Sequence, residues 1–144
     1  MIAHSEWRGN GYFEGQSESG HSIDFDVTPD HASGPSPMEA VLMGLCGCTS
    51  VDVVSILEKK RQPLTGLKVT ATATRAEKPP RVFTHIQLTY TVSGQVSLKA
   101  VQDAVSLSKN KYCSVSLMLE KAVPIDYEIV YTDQPQEPQP PLEH

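Results

Sequence analysis

A chain of 144 residues is long enough for one domain with a core of its own and too short for two ordinary ones. Its formal charge is −5 and its basic residues are scattered, which argues against a nucleic-acid partner that would demand a positive stripe. No apolar run approaches the ~20 residues that span a bilayer, which argues against a membrane protein, and the N-terminus lacks the charged-then-apolar pattern of a signal peptide.

The first 30 residues read as short strands. I-A-H-S-E-W-R, Y-F-E-G and H-S-I-D-F-D-V alternate with partial period two, and glycine-rich breaks separate them. In the third of these, His21, Ile23 and Phe25 share one face and Ser22, Asp24 and Asp26 the other. T-P-D-H-A-S-G-P follows as a loop of turn formers. Ser36-Pro37-Met38-Glu39 then makes a strong helix start: serine caps, proline takes the first helical position, and Glu39 completes a capping box. The helix should run to about Arg61, stopped by Pro63 and Gly66. From Ala40 to Cys48 it carries no charge, and a helix apolar all round is expected to be buried all round. Gly44 and Gly47 cost propensity, about 1 kcal/mol each, and fit a close backbone neighbour.

L-K-V-T-A-T-A-T-R and F-T-H-I-Q-L-T-Y-T-V alternate cleanly and read as a long antiparallel hairpin. Its core face carries Thr84, Ile86, Leu88, Tyr90 and Val92. S-L-K-A-V-Q-D-A-V-S-L-S-K fits a helix with Leu98, Val101, Val105 and Leu107 or Ser108 toward the interior. A short helix from Cys113 to about Lys121 and a last strand, I-D-Y-E-I-V-Y, complete the order β-β-β-α-β-β-α-α-β. That order is α+β with largely antiparallel pairing. The predicted organisation is a single domain over residues 1–132, a proline-rich tail over 133–141 and a tag remnant over 142–144.

Three cysteines, an odd count, fit a reducing cytosol better than a disulfide framework. Cys48 lies inside the long helix, where the helix dipole barely helps it. Cys113 lies at a helix start with Lys109 and Lys111 just before it, a setting that favours a low thiol pKa. Brought together by folding, two such thiols act as attacking and resolving partners in peroxide chemistry. The alternative is a pair of packing cysteines. Cys46 points about 200° around the helix from Cys48 and reads as a packing residue. Asp52, one turn from Cys48, raises a buried thiol's pKa unless it holds an arginine, a substrate group or a backbone group across the core. The histidines are scattered, with no zinc-ligand spacing, so no metal is expected, and neither a phosphate loop nor a nucleophile elbow is present.

S-P-M-E-A-V-L-M-G-L-C-G-C-T-S-V-D-V-V followed by K-Y-C-S-V-S-L-M-L-E-K resembles the OsmC/Ohr family of thiol-dependent hydroperoxide reductases, over roughly Gly20 to Tyr131. The likeness is greatest to a less characterised subgroup with a G-C-T-x-x-D-V pattern. The resemblance implies sheets wrapped around a long central helix in an intertwined homodimer, with the cysteine sites at the subunit interface. It aligns Cys48 with the peroxide-attacking cysteine and Cys113 with the resolving one, and implies no cofactor. Family peroxidases activate the first cysteine with an N-terminal arginine and a glutamate ten positions before it. Here that position is Met38 and the glutamate is Glu39, one residue or about 100° further round. Arg8 is the candidate arginine. The family's proline after the second cysteine is replaced by Ser114.

The reading is a cytoplasmic, homodimeric peroxidase of the oxidative-stress response. Cys48 and Cys113 are catalytic, and Glu39, Asp52 and Arg8 support them. An organic hydroperoxide is the substrate, and a cellular dithiol, for which the resemblance suggests a lipoylated protein, is the reductant. Leu45, Leu117 and Met118 are expected to line an apolar pocket. The rivals are a small-molecule-binding protein on the same scaffold and a thiol redox sensor.

Overall fold

The structure, a computed structural model, describes residues 1–132, so the expected tail and tag remnant lie outside the described residues. The chain forms two compact units, Met1–Met43 and the residues from Gly44 onward. Strands β1 (Ala3–Gly9), β2 (Tyr12–Ser17) and β3 (Ser22–Asp26) make an antiparallel sheet in that order. Its register sets Trp7 opposite Phe13, Phe13 opposite Phe25, and Gly15 opposite Ile23. Trp7, Phe13, Ile23 and Phe25 therefore share one apolar face, and it is open: Trp7 is 66% and Ile23 46% exposed.

The loop after β3 is tied around one carboxylate. Asp26 is fully buried and accepts the backbone N–H groups of Thr28 and Ser33 at 2.8 and 3.0 Å, together with the Thr28 hydroxyl. Gly34 passes so close to the Asp24 carbonyl that any Cβ would collide with it. This loop delivers Ser36 to the start of α1 (Pro37–Lys59), where the predicted capping box forms: Glu39 N–H donates to Ser36 Oγ at 3.2 Å, and Ser36 N–H to Glu39 Oε2 at 3.4 Å.

The burial of α1 differs from the expectation. Only Leu45, Thr49, Val53 and Leu57 are buried, a single stripe of period four, while Met43 is 57% and Val51 69% exposed. One chain supplies cover for one face only. The membrane test also comes out differently: by length and composition, though by nothing else, these 23 residues are long and apolar enough to cross a bilayer. Thr49, Ser50 and Asp52 break the apolar run of α1 without lowering its average apolarity below that of a spanning helix. Core helices of soluble proteins pass the same test.

In the second unit β4 (Leu64–Arg75) and β5 (Phe83–Gly94) form the predicted hairpin, with Val69 opposite Tyr90, Ala71 opposite Leu88 and Ala73 opposite Ile86. Ile86, Leu88, Tyr90 and Val92 are fully buried, as their alternation requires, although Thr84 at the strand's start is exposed. β6 (Ile125–Tyr131) joins the other side of β5 in parallel, so this sheet is mixed rather than antiparallel throughout. Parallel neighbours need a long crossover, and the helical segment between β5 and β6 supplies it. There α2 (Leu98–Leu107) starts on Ser97, whose hydroxyl accepts from Ala100 N–H, and buries Ala100, Val101, Ala104 and Val105. Leu98, expected inside, is exposed at its start, and of the alternatives Leu107 and Ser108 it is Ser108 that is fully buried. A π-helical turn, Ser108–Tyr112, follows, and then α3 (Ser114–Leu119). The sequence pattern gave no sign of the π turn.

Candidate thiol site

Cys113 occupies the position before α3, with extended backbone, and acts as its cap: Ser116 N–H donates to the Cys113 sulfur at 3.4 Å. The π turn holds it from behind, because Cys113 N–H donates to the Ser108 carbonyl at 2.8 Å. Cys48 of α1 is its neighbour and helps to keep the Cys113 thiol protonated. All three cysteines are free.

The expected low pKa of Cys113 is not found. Burial pushes its thiol up to about 12, the Ser116 N–H opposes this, and Cys48 and the charge of Asp52 push further the same way. The two nearby lysines are turned elsewhere, Lys109 over the Tyr127 ring at 5.9 Å and Lys111 over the Tyr112 ring at 5.3 Å. A helix start six residues long, inside a core and facing a carboxylate, does not outweigh desolvation. Cys46 is on another side of α1. Burial raises its thiol too, and a backbone hydrogen bond from Ala71 of β4 opposes the rise, which fits the packing role.

Asp52 does reach across the core, but to a side chain. The Ser108 hydroxyl donates to Asp52 Oδ2 at 2.9 Å. Ser108 Oγ also meets Thr49 Oγ1 at 2.8 Å, and Thr49 Oγ1 meets the Tyr90 hydroxyl at 2.7 Å. Tyr90, Thr49 and Ser108 are fully buried, and burial raises the Tyr90 hydroxyl to about 12. Sequence reasoning missed this hydroxyl chain as a functional feature. The available signal was a threonine in the Leu45–Val53 stripe and a tyrosine on a core face, because buried hydroxyls must find partners.

The two remaining candidates belong to the first unit. The Arg8 guanidinium contacts Glu14 at 3.1 Å and Glu6 at 3.3 Å, and Glu39 is engaged in the capping box. An open cleft of about 390 Å³ runs beside α1 in the second unit, lined in part by Val51, Asp52, Ile56, Leu107 and Tyr112. The expected lining by Leu45 is not met, since Leu45 is wholly buried in the core.

The chain is thus an α+β fold in which a long apolar helix carries Cys48 and Cys113 caps a short helix. The description "OsmC-like protein" matches residues 30–128, and the chain belongs to that family. It is 50% identical over 134 residues to Protein YhfA of Escherichia coli strain K12, covering 90% of this chain and 98% of the relative. Among solved structures, an OsmC-like protein from Mycoplasma pneumoniae shares the fold with a TM-score of 0.82 at 17% identity, over 92% of this chain and 96% of that one. An organic hydroperoxide resistance protein from Elizabethkingia anophelis, with crystallant-derived thiocyanate bound, shares it at 0.68 and 13%, over 90% and 94%.

Proposed function

We propose that this protein is a cytosolic thiol peroxidase that reduces organic hydroperoxides to alcohols. The observation that carries the reading is that the fold brings Cys48 of α1 beside Cys113 at the start of α3. The thiolate is the form of Cys48 that attacks peroxide. The thiolate attacks the distal peroxide oxygen, the O–O bond breaks, the alkoxide takes a proton and leaves as alcohol, and Cys48 becomes a sulfenic acid. Cys113 then attacks the sulfenyl sulfur, water leaves, and a Cys48–Cys113 disulfide forms. A cellular dithiol, of which a lipoyl group is one chemical type, reduces it by exchange. Asp52, Arg8 and Glu39 are the supporting residues of this reading. The hydroperoxide-resistance structure supports the substrate class, and the odd cysteine count supports a reducing compartment.

The working form in this proposal is a homodimer. The open faces of α1 and of the β1–β3 sheet support it, and so do Gly44 and Gly47, where an added Cβ would meet nothing within 4 Å in this chain. Exposed apolar surface on an element marks an interaction site.

The high pKa of Cys113 and the cleft beside α1 favour a second reading, a small-molecule-binding protein on the same scaffold. One experiment separates the two. Reduced protein receives one equivalent of cumene hydroperoxide, followed by intact-mass analysis and peptide mapping. A rapid Cys48–Cys113 disulfide, absent in Cys48→Ser, is the expected result. Unmodified thiols would overturn the peroxidase reading in favour of the binder.

A further inference from the structure

The buried hydroxyl chain has a fixed direction. Ser108 has one hydroxyl proton and gives it to Asp52, so it must accept from Thr49. Thr49 has then spent its own proton and must accept from Tyr90. Donation therefore runs from Tyr90 on β5, through Thr49 on α1 and Ser108 in the π turn, to Asp52 back on α1. Ser108 is also tied to the thiol site through its backbone, because its carbonyl accepts the Cys113 backbone N–H. That bond spans five residues and exists only because the π turn, a rare conformation often found at functional sites, interrupts the helical segment there.

Thr49 and Asp52 flank the α1 turn that begins at Cys48, so Ser108 grips that turn twice by its hydroxyl and Cys113 once by its carbonyl. We propose that Ser108 is a positioning residue for disulfide closure: it fixes the π turn to α1 so that the Cys113 sulfur is held against Cys48. The inference rests on the peroxidase reading for its biological meaning and on the geometry alone for the positioning. In the closing step the Cys113 thiol loses its proton as its sulfur bonds to the Cys48 sulfenyl sulfur. The S–O bond breaks, and the leaving oxygen carries that proton away as water. Cys113 is oxidised and the sulfenyl sulfur reduced. Such a step depends steeply on sulfur placement, because bond formation needs a near-attack geometry. The peroxide-attacking step forms no bond to Cys113 and does not depend on where its sulfur is held.

The test follows two oxidants in single-turnover experiments on Ser108→Ala, Asp52→Ala, Asp52→Asn and the unaltered protein. Cumene hydroperoxide gives a Cys48 sulfenate, trapped by dimedone, and then the disulfide. Diamide closes the same disulfide by adding to one thiol and being displaced by the other, without any peroxide. The expected result is that Ser108→Ala makes the sulfenate as the unaltered protein does, yet closes the disulfide about tenfold more slowly or worse with either oxidant. Asp52→Ala should show the same closure defect, read with diamide because Asp52 also supports the peroxide step. Asp52→Asn keeps an acceptor for the Ser108 hydroxyl and should recover most of the lost rate. A merely structural loss would slow both steps together. Closure by diamide at the unaltered rate in Ser108→Ala would overturn the positioning role, whatever the peroxide arm shows. If Ser108→Ala does not fold, failure of Asp52→Asn to recover closure relative to Asp52→Ala overturns it equally. Absence of sulfenate in the unaltered protein would overturn the peroxidase reading alone, because the diamide comparison still decides the positioning.

Discussion

The two units of this chain are stabilised by different physics. The second has a hydrophobic interior: Leu45, Leu57, Leu88 and Val101 are fully buried, and Tyr90, Thr49 and Ser108 among them are joined in one hydroxyl chain. In the first unit the one fully buried residue among those described is Asp26, a carboxylate satisfied by its own loop, while Trp7 and Ile23 stand open. Three strands with an uncovered apolar face are marginal in isolation. The chemistry follows this division. Cys113 sits in the buried interior of the second unit and Cys48 at its half-buried edge, and the residues that resemblance offers as their helpers, Arg8 and Glu39, sit in the first unit.

The strongest way to probe the contrast is thiol reactivity. Buried Cys113, with its pKa near 12 against an ordinary 9.0, should be alkylated by iodoacetamide at pH 8 about a hundredfold more slowly than an exposed thiol, or worse. Peptide mapping against time measures this, and ordinary reactivity would mean that the second unit's interior is open. The same shift carries a sign for stability. Below pH 9.0 folded and unfolded chains both keep the proton, so the contribution is whole. As pH rises from there toward about 12 the unfolded chain releases its proton first, and stability falls. Urea unfolding of the reduced protein between pH 8 and 11 should follow that decline, and Cys113→Ala should flatten it.

Next in size is packing. Leu88→Ala should cost about 2–5 kcal/mol, with a urea midpoint little affected by protein concentration at the level of the core defect itself. Trp7→Ala should act through association: its loss of stability shrinks or grows with protein concentration if a second copy covers the first unit's apolar face. A concentration-independent effect would remove the argument for a dimer from that face. Gly34→Ala forces a Cβ against the Asp24 carbonyl and should cost about 1–3 kcal/mol, read by thermal unfolding. The smallest effect belongs to the helix cap. Ser36→Ala deletes the acceptor for Glu39 N–H and should cost about 1 kcal/mol, with Ser36→Asp restoring most of it.

Element order, the α1 cap and the β4–β5 register face were legible in the sequence because each depends on neighbours a few residues apart. Ser36 and Glu39 need only one helical turn to find each other. Ile86, Leu88, Tyr90 and Val92 need only the pleat of their own strand. The π turn was hidden because S-K-N-K-Y carries no pattern that distinguishes a five-residue turn from a frayed helix. The high pKa of Cys113 was hidden for a related reason. Lys109, Lys111 and a helix start were visible as charges and dipoles, but desolvation depends on what surrounds the sulfur.

By itself, then, the sequence determined the α+β order, the long helix that carries Cys48, and the short helix that Cys113 begins. Periodicity and capping are local, and local interactions are written in local residues. Only the tertiary structure decided that Cys113 meets Cys48, that β6 runs parallel to β5, and that Tyr90, Thr49, Ser108 and Asp52 form one directed chain. Those contacts join residues far apart in the chain, and burial, which sets both their strength and the proton on Cys113, is a property of the packed interior.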